Sequence, residues 1–374
     1  MSFPFHIYVD LDVSNDDLNP TSQPPQLSFE VTRNHPFLEG NASNYFVTIS
    51  RFSIQTGSSL PVFIPSIIPN QPDVNKTVYS ITIVNTVTKL VNTEYIEYVP
   101  SNLSLPTPSS PVTTQDYTNK YYHVMNYQDF IAMVNNTLVS LWGKTGLSGP
   151  IAAAVPFIEF DPSSYISVLN VSQTAFTTAN YDIYFNTRLM QLFTGLPAIF
   201  KTYDGELNYQ INVAGSLNNT RSITVSYSAQ SAVIAFVQVN QELSAVGLWN
   251  PVRSIVFVSN TLPIYATQTS PPQLYNSTNT GMIGSGVPNI SNILSDFEIP
   301  ISATNQYRPE INYAPPGEYR LIDLYNNSDL YKIDLNVFWK DKYNNLNPFL
   351  LQAGCSANVK LLFRHKHFYL GYDY

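Results

Sequence analysis

Short runs in which apolar and polar residues alternate are the dominant pattern along this chain. The clearest runs are rich in β-branched and aromatic residues, and clusters of Pro, Gly, Asn or Ser separate them. They cover residues 45–54, 78–87, 93–99, 166–171, 207–213, 222–227, 233–239, 254–258, 330–339 and 358–364. Because the alternating strand and helix units of a parallel sheet are absent, this pattern predicts an all-β fold, an antiparallel sandwich or barrel.

Two short helices interrupt the strands. The first is predicted at residues 127–142, where Asn126 can cap the amino end and apolar residues recur at helical spacing. The second is predicted at residues 187–194, with Asn186 as its N-cap and Gly195 as its C-cap. We expect both helices to be loop helices that pack onto a sheet.

Long polar stretches separate these elements, at residues 19–26, 100–120 and 267–289. The last two are too long for hairpin turns, so we expect either surface excursions that contact neighbours or segments that become ordered on assembly. Between Leu207 and Ser295 the only charged residues are Arg221, Glu242 and Arg253. So few charges over such a length indicate a segment that other subunits cover.

The composition supports contacts between protein chains. Of the 374 residues 44% are hydrophobic, which is enough for a buried core, and only 12% are charged, about half the usual share. The formal net charge is -8 and no run of Lys or Arg occurs, so direct nucleic acid binding is not expected.

The nearest approach to a nucleotide-binding loop is the sequence WGKTG at residues 142–146. A phosphate-binding loop needs a further glycine five residues before Gly143, and that position is Leu138. We therefore predict a turn that ends the first helix.

Metal and catalytic sites have too few possible members. His365 and His367 share one face of a predicted strand, but no third ligand is near them and the adjacent Arg364 and Lys366 would repel a cation. The single cysteine, Cys355, excludes an intrachain disulfide, and no Gly-x-Ser-x-Gly sequence is present. We expect no enzyme, no cofactor and no metal site.

The amino-terminal residues MSFPFHIYVDLDV lack the basic region and cleavage site of a signal peptide. The nearby Asp10, Asp12, Asp16 and Asp17 lack the glycine and bidentate glutamate of a calcium loop, so a solvated acidic terminus is predicted. No apolar stretch approaches the ~18 to 20 residues of a membrane span. We expect synthesis in the host cytosol and no membrane span.

The carboxyl-terminal third resembles the jelly-roll capsid proteins of Polinton-like viruses, adintoviruses and virophages. The segments that carry the resemblance are LSDFEIPI (294–301), YAPPGEYRLIDL (313–324) and LYKIDLNVFWKDKYNNLNPFLLQAGCSANVKLLFRHKHF (330–368). Earlier segments agree, among them IYFNTRLMQLFTGLPAIF (183–200) and WNPVRSIVFVSNTLPI (249–264). The resemblance covers most of the chain after about residue 45.

The resemblance implies a structural protein of an icosahedral DNA virus, located in the virion, with an antiparallel viral jelly-roll β-sandwich. The penton, or vertex protein, is favoured, because one jelly roll plus an inserted upper region fits the length. We expect residues 1–374 to form one jelly-roll capsid protein with an upper region inserted somewhere within 85–300. The alternative is two jelly rolls, about 1–200 and 201–374, in a compact major capsid protein.

The expected partners are copies of the chain itself and other capsid proteins. A penton would assemble as a homopentamer and a major capsid protein as a trimer. Large aromatic residues and the histidine pair are the candidate interface residues, namely Trp249, Trp339, Phe338, His365 and His367. A hypothesis of a different class is a carbohydrate-binding or receptor-binding β-sandwich, in which exposed Tyr and Trp residues would stack on sugars.

Overall fold

The structure is a computed structural model that describes residues 6–17, 24–56, 62–65, 79–99, 121–124, 126–178, 180–203, 206–213, 220–227, 232–250, 252–269, 273–276, 279–284, 289–298, 310–314, 320–341, 344 and 346–366. Its strands are β1 (His6–Ser14), β2 (Ser28–Thr32), β3 (Tyr45–Gln55), β4 (Val62–Pro65), β5 (Ser80–Asn85), β6 (Val91–Tyr95), β7 (Tyr121–Val124), β8 (Phe157–Asp161), β9 (Ile166–Ser172), β10 (Tyr181–Asn186), β11 (Ala198–Tyr203), β12 (Glu206–Ile211), β13 (Thr220–Tyr227), β14 (Ala232–Asn240), β15 (Ser254–Val258), β16 (Thr267–Thr269), β17 (Gln273–Asn276), β18 (Asn279–Gly284), β19 (Asn289–Ser291), β20 (Ile293–Glu298), β21 (Glu310–Tyr313), β22 (Ile322–Asp323), β23 (Lys332–Lys340), β24 (Leu346–Pro348) and β25 (Ser356–His365). The helices are α1 (Tyr127–Gly143), α2 (Pro150–Ala153) and α3 (Thr187–Leu192), with 3-10 turns at Ala42–Asn44 and Val246–Leu248 and a π-helical turn at Thr174–Thr178.

Eight strands from both ends of the chain form a jelly roll. In chain order they are β1, β2, β3, β15, β20, β21, β23 and β25. One antiparallel sheet has the order β1-β25-β3-β21, with β22 also paired to β3, and the facing sheet has the order β2-β23-β15-β20, with β24 beside β23. Numbered within the eight strands, these orders are 1-8-3-6 and 2-7-4-5, the arrangement of a jelly roll. The predicted all-β jelly-roll fold class is confirmed.

Alternation along the jelly-roll strands places one face of each sheet in a common core. Every second residue of β25 from 357 to 363 is buried, and so is every second residue of β23 from 333 to 339. The rings of Phe52, Phe257 and Phe297 meet between the sheets with centroids 5.0 to 5.8 Å apart. Removal of this apolar surface from water is the main favourable contribution to folding.

The chain between β3 and β15, residues 56–253, forms two further antiparallel sheets and is called the inserted segment below. One sheet has the order β11-β12-β10-β5-β6 and the other has the order β13-β14-β9-β8. The large buried cluster of this segment draws its residues from Tyr79 to Trp249, whereas the jelly-roll cluster has none between Ile54 and Val252. The described residues therefore form two separate main cores.

Helix α1 packs its apolar face onto the strands of the inserted segment. The helix begins where the Asn126 side chain accepts a hydrogen bond from the Asp129 backbone N–H at 2.8 Å. Its buried face includes Phe130, Val134 and Leu138, and it contacts β5, β6 and β8. The prediction of a capped amphipathic helix that packs onto a sheet is confirmed.

The predicted elements are all present, although their observed ends differ from the predicted ends by up to four residues. Several further strands were not predicted, among them β2, β8, β10 and β1, in which Val9 and Leu11 are buried and the intervening side chains face outward. Residues 267–289 were predicted to be a polar connection, whereas the structure has short strand pairs there, β16 with β19 and β17 with β18. These strands are polar and pair through their backbones, so they carry little apolar alternation. The polar stretch at residues 100–120 lies outside the described residues.

Candidate assembly surfaces

The described residues carry no constellation that suggests catalysis or metal binding. They contain no group of three or more His, Cys, Asp or Glu side chains that could hold a metal ion. The predicted turn at WGKTG is confirmed: Lys144 is the C-cap of α1, and the Thr145 hydroxyl donates to the Trp142 carbonyl at 2.7 Å. Within the same part of the chain, no helix is both long and apolar enough to cross a bilayer.

Two of the predicted interface residues are tryptophans that lie inside the cores. Trp249 is 2% exposed and its indole N–H donates to the Leu192 carbonyl at 2.5 Å. Its ring packs edge-on against Tyr127 and Phe130, with centroids 5.1 and 5.0 Å away. Trp339 is 4% exposed within the jelly-roll core. In the isolated chain both side chains therefore serve packing.

The other predicted interface residues lie nearer the surface. Phe338 is half-buried on the outer face of β23, because its neighbours Val337 and Trp339 point into the core. His365 is half-buried at the end of β25, where its ring meets Tyr45 edge-on at 5.0 Å. His367 lies outside the described residues.

One cluster of exposed apolar side chains lies at the β11 edge of the inserted segment. We call it the β11 flank, and it comprises Ile199, Phe200, Leu207, Leu243 and Leu248, each at least 51% exposed. The loop that carries the last two lies beside the start of β11, because the Glu242 backbone N–H donates to the Gly195 carbonyl at 2.9 Å. Strand β11 pairs only with β12 in the described part of the chain, so its other edge is open.

A second cluster lies at the opposite edge of the same sheet. We call it the β6 flank, and it comprises Val87, Leu90, Val91, Tyr95 and Val99, exposed by 36 to 67%. Among described strands, β6 pairs only with β5. Its alternate residues Asn92 and Glu94 are half-buried, and Glu94 forms an ion pair with Lys144. The outward face of β6 therefore carries the apolar side chains of Val91 and Tyr95, with Thr93 between them.

Three exposed tyrosines lie at the end of the jelly roll away from the inserted segment. Tyr265 and Tyr325 pack with ring centroids 5.1 Å apart although they are 72% and 52% exposed, and Tyr331 is 44% exposed. The Tyr325 backbone N–H donates to the Pro263 carbonyl at 3.0 Å, which ties the two loops together. Exposed tyrosines with a fixed position are well suited to contacts between proteins.

Charged and amide side chains connect neighbouring strands across the outer face of the β1-β25-β3-β21 sheet. The Asp10 carboxylate lies 3.1 Å from the Lys360 ammonium group and 3.8 Å from the Arg51 guanidinium group. The neighbouring Asp12 accepts a hydrogen bond from the Asn358 side chain at 2.6 Å. Two members of the predicted solvated acidic terminus are therefore on a strand, where they pair with side chains of the sheet.

Among the described residues, two carboxylates have a pKa below the ordinary value. For Asp334, burial opposes ionisation, but hydrogen bonds from Thr261, Ser259 and the Asn260 backbone outweigh it and lower the pKa. Asp161, at an exposed turn, has its pKa lowered to about 2 by hydrogen bonds from the hydroxyls of Ser164 and Ser163 and from the Ser163 backbone. Both carboxylates organise turns.

The chain matches the model of one protein family, described as Sputnik minor capsid protein V18/19, over residues 7–365. It is 30% identical over 194 residues to structural protein V19 of Sputnik virophage, a match that covers 50% of this chain and 83% of that protein. It is also 31% identical over 134 residues to uncharacterized protein V18 of the same virophage, covering 34% of this chain and 77% of that protein.

Two solved structures share the fold. A chain in the 3.5 Å cryo-electron microscopy structure of the Sputnik virophage matches with a TM-score of 0.74 and 26% identity, covering 98% of this chain and 99% of that one. The mavirus penton protein matches with a TM-score of 0.59 and 16% identity, covering 96% and 99%. Because the family match spans nearly the whole sequence, the chain belongs to the Sputnik minor capsid protein V18/19 family and is a structural protein of a virophage-type capsid.

Proposed function

We propose that this protein is the penton of its capsid, a homopentamer that occupies the five-fold vertices. The observation that carries the proposal is a single jelly roll whose third and fourth strands, β3 and β15, are separated by the large inserted segment. The mavirus protein with the same fold over 96% of this chain is named a penton protein. With one jelly roll per chain, a homopentamer places five jelly rolls around the vertex, which matches its five-fold symmetry.

The domain division follows from the two cores. We assign residues 6–55 and 254–365 to a jelly-roll domain and place an upper domain in the inserted segment, which begins at residue 56 and so extends outside the range 85–300 predicted for the insertion. A division into two jelly rolls at about residue 200 would separate β3 from β25, although these strands are hydrogen-bonded along nine residue pairs. This register favours one jelly roll over two.

Family membership argues against the other hypotheses. The family is described as one of minor capsid proteins, which disfavours a trimeric double-jelly-roll major capsid protein. The hypothesis of a carbohydrate-binding sandwich has no comparable support, because the Sputnik virophage relative V19 is named a structural protein. The penton therefore remains the best-supported role.

Contacts with copies of itself and with other capsid proteins would supply the assembly energy. Obligate interfaces bury large apolar areas and resemble a protein core divided in two. Phe338 and His365 are half-buried and reach the surface, and we propose that they contact neighbours directly. Trp249 and Trp339 are buried, so we propose that they support contact surfaces by fixing the cores beneath them.

Electron microscopy and mass measurement of the purified full chain test the proposal. We expect rings with five-fold symmetry and a mass five times the 42.0 kDa of one chain. Particles with three-fold symmetry would support the trimeric alternative and overturn the penton. A stable monomer at high concentration would overturn any self-assembling vertex role.

A further inference from the structure

We infer that the β11 flank of one copy docks on the β6 flank of the next copy, so that the inserted segments join head to tail around the ring. This inference rests on the proposed homopentamer and names the surfaces that would hold it together. The flanks are the two open edges of one sheet, β11-β12-β10-β5-β6. With strands about 4.8 Å apart, they lie on opposite sides of that sheet, about 19 Å from each other.

The distribution of exposed apolar side chains points to these two edges. Of 15 large hydrophobic side chains that are exposed among the described residues, ten belong to the β11 flank or the β6 flank. The remaining five, Tyr8, Val139, Tyr265, Tyr325 and Tyr331, are spread over the jelly roll and the outer face of α1. Apolar surface concentrated at two strand edges would promote aggregation of a free monomer, whereas it stabilises a contact between subunits in which it is buried.

Most of β11 is exposed to solvent. Residues 199–202 are all exposed, so both faces of the strand reach solvent, and Phe200 packs mainly on Tyr209 of the neighbouring β12 at 4.9 Å. A strand with apolar residues on both faces and one open edge can add to another sheet through backbone hydrogen bonds. The Lys201 ammonium group donates a hydrogen bond to the Gln210 side chain, which holds the lysine over β12, away from the open edge, although its positive charge remains.

The β6 edge is a matching acceptor for that strand. It has five residues against six in β11, so the backbones can pair along nearly their whole lengths. Val91 and Tyr95 present apolar surface on its outward face, while the Glu94 carboxylate is held by Lys144. The apolar outer face and the paired charge make this edge suited to burial.

A second copy of this chain is the occupant that symmetry favours. A cyclic ring larger than a dimer needs two different complementary surfaces on opposite sides of each subunit, since its contacts are heterologous. The two flanks meet that requirement, because they lie at opposite ends of one sheet and are both apolar. An isologous contact would instead need one surface that is complementary to itself.

Single aspartate substitutions on the two flanks test the contact in the full chain. Ile199→Asp changes the β11 flank and Tyr95→Asp changes the β6 flank; each would place a carboxylate in the buried contact. We expect each variant to remain folded by circular dichroism and its mass to fall from five copies to one. Val139→Asp is the control, since Val139 is 56% exposed on α1 and lies off both flanks, and it should keep the wild-type mass.

Mixing the two variants distinguishes a head-to-tail contact from loss of folding. An equimolar mixture leaves one intact β11 flank on the Tyr95→Asp chain and one intact β6 flank on the Ile199→Asp chain. One contact can then form and no ring can close, so we expect a complex of two chains. A misfolded variant would not form this complex, and a contact between identical flanks would not be limited to the mixture.

The outcomes separate this inference from the proposed function. If wild type is a pentamer and both variants remain pentamers, the flank contact is wrong while the penton stands. If wild type forms a ring of another size, the penton fails, and the same variants still decide whether the flanks form the contact. A wild-type monomer, or a mixture in which no two-chain complex appears, overturns the inference.

Discussion

At the scale of single residues, one carboxylate fixes the connection after β15. A single oxygen of Asp334 on β23 accepts hydrogen bonds from the Ser259 hydroxyl, the backbone N–H groups of Asn260 and Thr261, and the Thr261 hydroxyl, at 2.7 to 2.9 Å. The Asp334 backbone N–H donates back to the Thr261 hydroxyl at 2.9 Å. This network holds the turn against the strand, and charged acceptors give stronger hydrogen bonds than neutral ones.

We expect Asp334→Ala to lower the free energy of unfolding by about 1 to 3 kcal/mol, because the buried Ser259 hydroxyl and the part-buried Thr261 groups lose a charged acceptor. Chemical denaturation at pH 7 measures the change. Asp16→Ala is the control: Asp16 is exposed and accepts a 3.2 Å hydrogen bond from Ser14, so its loss should change stability by less than about 0.5 kcal/mol. Equal effects of the two substitutions would contradict the assigned role.

The same network predicts a pH dependence. Because the pKa of Asp334 is lower in the folded chain, its stabilisation is present above the ordinary value of 3.8 and is lost as the pH falls through the lowered pKa. The stability difference between wild type and Asp334→Ala should therefore shrink between pH 7 and pH values below about 3.8. A difference that is constant over this range would show that the charge of Asp334 does not matter.

Gly195 is required where α3 approaches the loop after β14. Its φ of +102° is unfavourable for residues with a side chain, and an added Cβ would lie 2.8 Å from the Leu243 carbonyl oxygen. We expect Gly195→Ala to destabilise the chain by about 2 to 4 kcal/mol through strain and steric overlap. Gly40→Ala shares the positive φ but meets no atom within 4 Å, so a smaller loss of about 1 kcal/mol is expected in thermal or chemical unfolding. Similar losses would show that overlap with Leu243 is unimportant.

At the scale of elements, α1 completes an edge of the second inserted sheet. The Asn135 side chain donates to the Ile158 carbonyl at 3.0 Å and accepts from the Ile158 backbone N–H at 2.7 Å. A helix side chain thus satisfies the backbone groups that a further strand beside β8 would have bonded. This double contact fixes the position of α1 along the sheet.

We expect Asn135→Ala to destabilise the protein by about 1 to 3 kcal/mol, because both polar groups of Ile158 lose their partner. Asn136→Ala is a matched control on the same helix, since Asn136 is exposed and its substitution should be neutral or slightly stabilising. Denaturant unfolding monitored by circular dichroism compares the two variants. Equal stability of both variants would contradict the bridging role of Asn135.

The predicted run at residues 45–54 shows how far alternation defines an element. Odd-numbered residues such as Val47 and Ile49 are buried in the first half of β3, whereas the even-numbered Phe52 and Ile54 are buried in the second half. A bulge explains the change: the pairing with β25 shifts between Lys360 and Leu361, so two residues of β3 oppose one. Alternation indicated a strand here, while the partner strand set the bulge.

At the scale of the whole molecule, the two cores should respond separately to mutation. Leu138 and Leu335 are both 0% exposed, the first in the cluster of the inserted segment and the second in the jelly-roll cluster. Replacing either leucine by alanine should lower the free energy of unfolding of its own core by about 2 to 5 kcal/mol. We expect two calorimetric transitions. Leu138→Ala should lower the midpoint temperature of the transition of the inserted segment, and Leu335→Ala should lower that of the jelly roll. A single transition that moves equally in both variants would show that the cores unfold as one unit.

The resemblance seen in the sequence is confirmed by the family to which the chain belongs. Repeated strand patterns and the carboxyl-terminal block led to a viral jelly roll without an enzymatic role, and the structural proteins among its relatives agree. The candidate interface residues were selected for size and aromatic character. That criterion does not distinguish core from surface: Trp249 and Trp339 are buried, and the exposed apolar side chains of the β11 and β6 flanks were not among the candidates.

The sequence alone determined the local elements. Alternation and N-cap residues such as Asn126 and Asn186 are properties of neighbouring residues, so strands and helices could be predicted from them. Only the tertiary structure decided that β1 pairs with β25, about 350 residues away, and that the inserted segment has a core of its own. Such contacts depend on which distant surfaces exclude water together, and no local pattern records that.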